Sequence, residues 1–174
     1  MATTKAPHLN ADPLLTAIAM IGDDDDLRAV LGKVQRLTGM KFAAIAFVSE
    51  DRWIASLVTD HLDFGLTAGD ELDVRTTICD QVRNCSSAIL IDDVMQDPAW
   101  SSHPVPRMYG FRSYISIPIL VGGAFFGTLC AIDPDPREQP LVEFREKLLT
   151  LAAKTGRLLM ERMRQGIGAH PPLN

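Results

Sequence analysis

The stretch from Tyr114 to Ile132, YISIPILVGGAFFGTLCAI, runs nineteen residues without a charged side chain. That is close to the roughly 20 apolar residues a helix needs to cross a bilayer. Its internal chemistry argues for two strands instead. Pro118, Gly122, Gly123 and Gly127 fall within ten residues, and adjacent glycines suit a two-residue turn whose central positions both need positive φ. Folding the chain at Gly122-Gly123 sets Val121 opposite Ala124. By the period-two rule, one face then carries Ile115, Ile117, Ile119 and Val121 opposite Cys130, Thr128, Phe126 and Ala124. The other carries Tyr114, Ser116, Pro118 and Leu120 opposite Ala131, Leu129, Gly127 and Phe125. A lipid-facing helix has no reason to sort residues in this way. A sheet with a packed side and a cavity side does. Pro118 sits awkwardly in this scheme, because proline favours an edge or a bulge. On this register Cys130 lies opposite Ile115 and reads as a buried, inert thiol.

The chain has 174 residues, of which 47% are apolar and 22% charged, as in ordinary soluble globular proteins. That length suits one domain. A net charge of −5 gives no basic footprint for nucleic acid or an anionic membrane. The start, MATTKAPHLN, lacks the pattern of a secretory signal. Cys79, Cys85 and Cys130 are odd in number and contain no CxxC, which argues against a zinc knuckle and for a reducing cytoplasm.

Asp12-Pro13 reads as the start of a short helix through Ile21, within an N-terminal extension covering residues 1–22. Asp23 to Asp26 then sit where a helix start favours negative charge. Leu27, Val30, Leu31, Val34 and Leu37 follow helical spacing up to Gly39. KFAAIAFVSEDRWIASLVTD reads as a hairpin turning at Ser49–Arg52. Thr76 is expected to cap a short helix containing Cys79, and AILIDDV is a short strand. The segment MQDPAWSSHPVPRMYGFRS is a long ordered loop with helical turns, a common place for binding groups. From Glu138 to about Gln165 the chain is helical again, leaving a tail at 166–174. Leu141, Phe144, Leu148, Leu151, Thr155 and Leu158 are spaced 3, 4, 3, 4, 3. That seam serves a helix packed on its own sheet, a helix paired with a second chain, or both.

The element order, together with ICDQV, AILIDDVMQDPAW, GFRSYISIPI and GTLCAIDPDPRE, resembles the GAF domain family of small-molecule sensors over residues 23–165. It is similar to the GAF domains of bacterial histidine kinases and cyclic-di-nucleotide signalling enzymes. The resemblance implies an α+β, GAF/PAS-like fold: a central antiparallel β-sheet, terminal helices on one face, and a pocket roofed by loops and short helices on the other. It implies a ligand-binding site made from Cys79, Asp93, Trp100, His103, Tyr109, Arg112, Tyr114 and Ser116. It also implies a homodimer held through Leu141, Phe144, Leu148, Leu151 and Leu158.

The family's known activities meet these residues unevenly. The Asn-Lys-x-x-x-Phe-x-x-Glu pattern of cyclic-nucleotide-binding members is absent. The roof loop, 97–112, has no cysteine for a covalent bilin, while His103 leaves a non-covalent tetrapyrrole or haem open. The free methionine sulfoxide reductases share the fold and need a low-pKa thiolate with a resolving thiol; Cys79 and Cys85 are the candidates by proximity. No phosphate loop, HExxH or nucleophile elbow occurs. Asp92 and Asp93 read as turn residues or as a clamp at the pocket rim, and Arg112 as an anion clamp or an aspartate partner. The expectation is a cytoplasmic, non-enzymatic sensor of an unspecified small molecule, with no nucleic-acid or membrane partner. A histidine kinase or a cyclic-di-nucleotide enzyme would be its output. The alternatives are a ligand-free dimerisation scaffold and a reductase using Cys79 and Cys85.

Overall fold

The computed structural model describes residues 24–168, together with Ile18 and Ile21. The expected helix start at Asp12-Pro13 lies outside the described residues; Ile18 is helical, and both isoleucines are buried. Six strands form one antiparallel sheet: β1 (Phe42–Val48), β2 (Trp53–Asp60), β3 (Glu71–Leu72), β4 (Ile89–Ile91), β5 (Ser113–Val121) and β6 (Ala124–Asp133), in the order β3-β2-β1-β6-β5-β4. The helices are α1 (Asp25–Thr38), α2 (Cys79–Cys85), α3 (Pro104–Tyr109) and α4 (Arg145–Gly168). This is the α+β architecture expected from the sequence.

The aspartate run works as a helix start. The Asp24 carboxylate caps α1 by accepting from the Leu27 amide at 3.0 Å, supplying one of the partners that a helix's first amides lack. Arg162 of α4 pairs with Asp24 and Asp26, so the same acidic turn ties the two long helices together. Gly39, at φ 71°, ends α1 in a conformation that costs other residues more.

Each face of the sheet carries its own core. On one face, Leu27, Val30, Leu31 and Val34 of α1 and Leu148, Ala152 and Leu159 of α4 pack against Ile45, Ile115, Ile117, Ile119 and Leu129. On the other, Phe42, Ala44, Ala46, Trp53, Tyr114, Cys130 and Ile132 meet α2, α3 and the loops.

The turn falls where the sequence predicts it, with Gly122 and Gly123 at φ 59° and 82° and Val121 opposite Ala124. The faces of β6 do not. A bulge between Ile119 and Leu120 shifts the register by one, so Ile115, Ile117 and Ile119 oppose Ala131, Leu129 and Gly127, while Tyr114, Ser116 and Pro118 oppose Ile132, Cys130 and Thr128. A one-residue slip moves every following side chain to the other face. Cys130 therefore belongs to the face of Tyr114 and Ser116, not to the isoleucine face. Pro118 is accommodated because β4 pairs only with Tyr114–Ser116, which leaves the outer side of β5 free of a strand at Pro118.

Two boundaries also differ. Residues 138–140 are not helical: a 3-10 turn spans Leu141–Phe144, and α4 runs from Arg145 to Gly168, past the expected end at Gln165. Leu141, Leu148 and Thr155 are fully buried within the chain's own core, whereas Phe144, Leu151 and Leu158 are half-buried on the same core. The heptad seam is first of all an intramolecular one, and Leu141 and Leu148 have no surface left for a partner.

Candidate functional site

On the face away from the long helices, β1 presents Ala44 and Ala46, small residues level with Cys130 and Thr128 of β6. Over this shallow patch lies α2, beginning at Cys79. Its N-cap is Ile78, without a side-chain cap. Thr76, the expected cap, lies instead in a 3-10 turn, where its hydroxyl donates to the Asp73 carbonyl at 2.7 Å and meets the Tyr109 hydroxyl at 2.9 Å. That second bond fastens α3 to the segment leading into α2.

The Cys79 sulfur is the centre of a buried polar cluster. The Thr128 hydroxyl donates to it at 3.3 Å, the Ser116 hydroxyl at 3.7 Å, and the Tyr114 hydroxyl lies 3.3 Å away. Cys130 lies on the same face, its thiol donating to the Ala44 carbonyl at 3.6 Å. Cys79 is 3% exposed and Cys130 5%. A neutral thiol uses so many donors poorly; a thiolate accepts them all. The neighbouring Cys130 thiol, with the hydroxyls of Thr128, Tyr114 and Ser116, outweighs the burial that opposes it and pulls the Cys79 thiol down to about 6. The neighbouring Cys79 and burial push the Cys130 thiol up, and burial with the Cys79 charge pushes the Tyr114 phenol up.

Beside this cluster lies a cavity of about 60 Å³, bordered by Cys79 and Cys130 and walled by Phe42, Trp53, Phe64, Tyr109, Phe111 and Tyr114. Phe111 stacks on Tyr114 at 5.3 Å, and Phe64 bridges Phe42 and Tyr109 at 5.3 and 5.9 Å. The indole N–H of Trp53 is buried without a hydrogen-bond partner among the described residues, which is costly for a buried donor. The volume is well below the roughly 300–1,000 Å³ of drug-sized ligand sites, so the cavity in this form does not fit a tetrapyrrole or a cyclic nucleotide.

Of the eight expected site residues, Cys79, Tyr109 and Tyr114 line the cavity and Ser116 supports Cys79 from behind. The other four do not line it. Arg112 and Asp93 hold each other in a bidentate pair, at 3.0 and 2.5 Å, and Asp93 also accepts from the Met95 amide. The Arg112 guanidinium thereby holds the Asp93 carboxyl below its usual range. His103 caps α3 by accepting from the Val105 amide at 3.3 Å, and Trp100 packs against its ring at 5.2 Å. Asp92 accepts from the Leu141 amide at 2.7 Å and so serves the fold. Cys79 and Cys85 are not a pair. They stand at opposite ends of α2, about 9 Å apart along a helix rising 1.5 Å per residue, and Cys85 is exposed. Sequence reasoning missed Cys130, Thr128 and Trp53. Pairing the apolar strand face with the apolar residues Leu129 and Ala131 would have brought Cys130 and Thr128 to the right side.

A sheet flanked by two long helices, with a short-helix roof over a small cavity, agrees with the match of the GAF domain model to residues 24–160. The chain belongs to the GAF domain family. Solved structures of the same fold include the GAF domain of an Acinetobacter phosphoenolpyruvate-protein phosphotransferase. It is 14% identical with a TM-score of 0.63, over 88% of this chain and 96% of that one. The blue-light-absorbing form of the Thermosynechococcus elongatus PixJ GAF domain is 13% identical with a TM-score of 0.62, over 93% and 96%. A free methionine-R-sulfoxide reductase from Neisseria meningitidis, solved with its substrate, is 18% identical with a TM-score of 0.56, over 92% and 98%. At these identities the likeness is one of fold. No curated protein matches the sequence. The GAF fold is a ligand-binding sensory fold in most of its settings, and an enzyme in some. Among the described residues of this GAF domain, no helix is long and apolar enough to cross a membrane, and no three metal-ligating side chains cluster.

Proposed function

We propose that this GAF domain is a cytoplasmic sensory module of bacterial signal transduction that binds a small molecule in the cavity between α2, α3 and the sheet. The observation that carries this reading is the aromatic-walled cavity beside the polar cluster at Cys79, lined in part by Trp53, whose buried indole N–H has no partner among the described residues. A ligand with one hydrogen-bond acceptor would satisfy that donor. Tyr114 faces the cavity, while Ile115, its neighbour on β5, packs in the core that α1 and α4 share. A ligand that favours one position of β5 therefore biases the long helices, a population shift between two packings. Homodimerisation through the terminal helices, by way of Phe144 in the turn before α4 and Leu151 and Leu158 of α4, would pass the shift to a histidine kinase or a cyclic-di-nucleotide enzyme. A mass measurement giving a monomer at tens of micromolar would remove the dimer from this scheme.

The small volume favours one second reading, a ligand-free dimerisation domain. Native mass spectrometry of protein purified from its own host separates the two. The sensory reading expects a bound small mass in the wild type that is weakened in Trp53→Phe. A clean apo mass, with no small metabolite raising the melting temperature, overturns it in favour of the scaffold.

A further inference from the structure

Cys79 of α2 and Cys130 of β6 come to one place: the Ser116 hydroxyl, on the residue that pairs with Cys130 across β5 and β6, donates to the Cys79 sulfur at 3.7 Å. Both border the cavity. The hydroxyls of Tyr114, Ser116 and Thr128 surround the Cys79 sulfur, whereas the Cys130 thiol donates to the Ala44 carbonyl at 3.6 Å. The two thiols are therefore unequal by construction: one is set up to carry negative charge, the other to hold a proton. The cavity admits a molecule of only a few non-hydrogen atoms, since one water needs roughly 10–15 Å³ and the space is about 60 Å³. Trp53, whose buried indole N–H has no partner among the described residues, lines the same cavity.

We propose that Cys79 and Cys130 form a peroxide-reactive dithiol, in which Cys79 attacks hydrogen peroxide held in the cavity and Cys130 resolves the product to an intramolecular disulfide. The Cys79 thiolate forms a bond to one peroxide oxygen and the O–O bond breaks, giving a sulfenic acid and hydroxide. The hydroxide takes the proton of the Cys130 thiol and becomes water. The Cys130 thiolate then attacks the Cys79 sulfur, the S–O bond breaks, and the departing hydroxide takes a proton from solvent as a second water. The two sulfurs together lose two electrons, and the two peroxide oxygens gain them. The sulfurs close to about 2.05 Å, which ties α2 to the sheet. This goes beyond the sensory reading: it uses the same cavity for a covalent reaction with a transient molecule of few atoms and does not require the reversible ligand of that reading.

The test is peptide mapping, under non-reducing conditions, of the full chain treated with hydrogen peroxide or with cumene hydroperoxide. A Cys85→Ser background removes the exposed thiol. Hydrogen peroxide should convert Cys79 and Cys130 to one disulfide-linked peptide pair, while the bulky hydroperoxide leaves them reduced over the same time. Cys130→Ser should stop at a sulfenic acid on Cys79, which dimedone traps once the treated protein is unfolded in its presence. The proposal is overturned if the pair stays reduced under peroxide that oxidises Cys85 in the unsubstituted protein, or if both peroxides oxidise it equally fast. Mapping reads covalent chemistry and native mass spectrometry reads reversible binding, so failure of one is told apart from failure of the other.

Discussion

Cys130 pairs with Ser116 across β5 and β6, and the Ser116 hydroxyl donates to the sulfur of Cys79 at 3.7 Å. A bulge of one residue between Ile119 and Leu120 creates this relationship. It places two thiols and three hydroxyls in a single buried cluster, on a face otherwise built from aromatic and small apolar side chains. The cluster has no full charge partner, so the ionisation of Cys79 rests on hydrogen bonds alone.

That arrangement makes stability depend on pH. Folding lowers the Cys79 thiol from 9.0 to about 6, so its contribution is complete above pH 9, shrinks as pH falls toward 6, and is gone below. The titratable groups facing it across the cavity are Cys130, Tyr114 and Tyr109. The first two are shifted up, so they oppose folding only at more alkaline pH. Between pH 6 and 8.5 unfolding free energy should rise with pH, with a slope of at most about 1.4 kcal/mol per pH unit from one proton. Urea unfolding across this window measures it. In Cys79→Ser the slope should vanish even if the protein is less stable throughout.

Arg112 and Asp93 are partners of each other at the rim. Arg112→Ala should therefore leave small-molecule binding in the cavity unchanged. With side-chain exposures of 39% and 15%, losing the pair should cost about 1 kcal/mol or less, as exposed pairs do. Calorimetric titration and thermal melts of the variant check both. A tenfold loss of affinity would return Arg112 to the site.

Local rules made much of this fold readable. The Asp24 cap, the Gly39 stop, the Gly122-Gly123 turn and the β1–β2 hairpin each depend on residues within a few positions of one another. What escaped depends on distant partners. The bulge at Ile119 satisfies packing on both faces at once, so no short stretch announces it. The Asp93–Arg112 pair joins residues nineteen apart. The leucine seam has one spacing whether it packs on a sheet or on a second chain, and the burial of Leu141 and Leu148 decides only for those two. At the cavity, Tyr109 and Tyr114 were legible as aromatics flanking a loop. Trp53 was not, because it arrives from the opposite hairpin.

Asp133 is fully buried at the end of β6 and serves three donors: the Lys41 amide at 2.9 Å, the Asp135 amide at 3.0 Å and the Arg137 guanidinium at 3.0 Å. It joins the start of β1 to the chain leaving the sheet. Asp133→Ala leaves two amides unpaired and the largely buried Arg137 charge without its carboxylate, holding only the Thr38 and Asp135 carbonyls, and breaking such a pair from one side costs about 3–5 kcal/mol. Set against a typical total of about 5–15 kcal/mol, the variant should be close to unfolding at room temperature. Circular dichroism and denaturant titration would show this. Asp133→Asn, which keeps an acceptor, should be less severe.

Gly156 lies in the middle of α4, where alanine is ordinarily better by about 1 kcal/mol. Here the sign should reverse. A Cβ on Gly156 would come within 2.1 Å of the Leu120 carbonyl oxygen and 3.8 Å of Ile119, so α4 has to move away from β5 to admit one methyl group. Overpacking of this kind costs about 1–3 kcal/mol, and the contact is with backbone, which cannot turn aside as a side chain can. Gly156→Ala should therefore lower the unfolding free energy. Because Leu120 adjoins the β5–β6 bulge, the strain falls on the element that sets the register of Cys130. Unfolding measurements of Gly156→Ala beside Ala153→Gly, a change in the same helix without this backbone contact, separate close approach from helix propensity. A stabilised Gly156→Ala would mean that α4 does not pack on β5 at this distance.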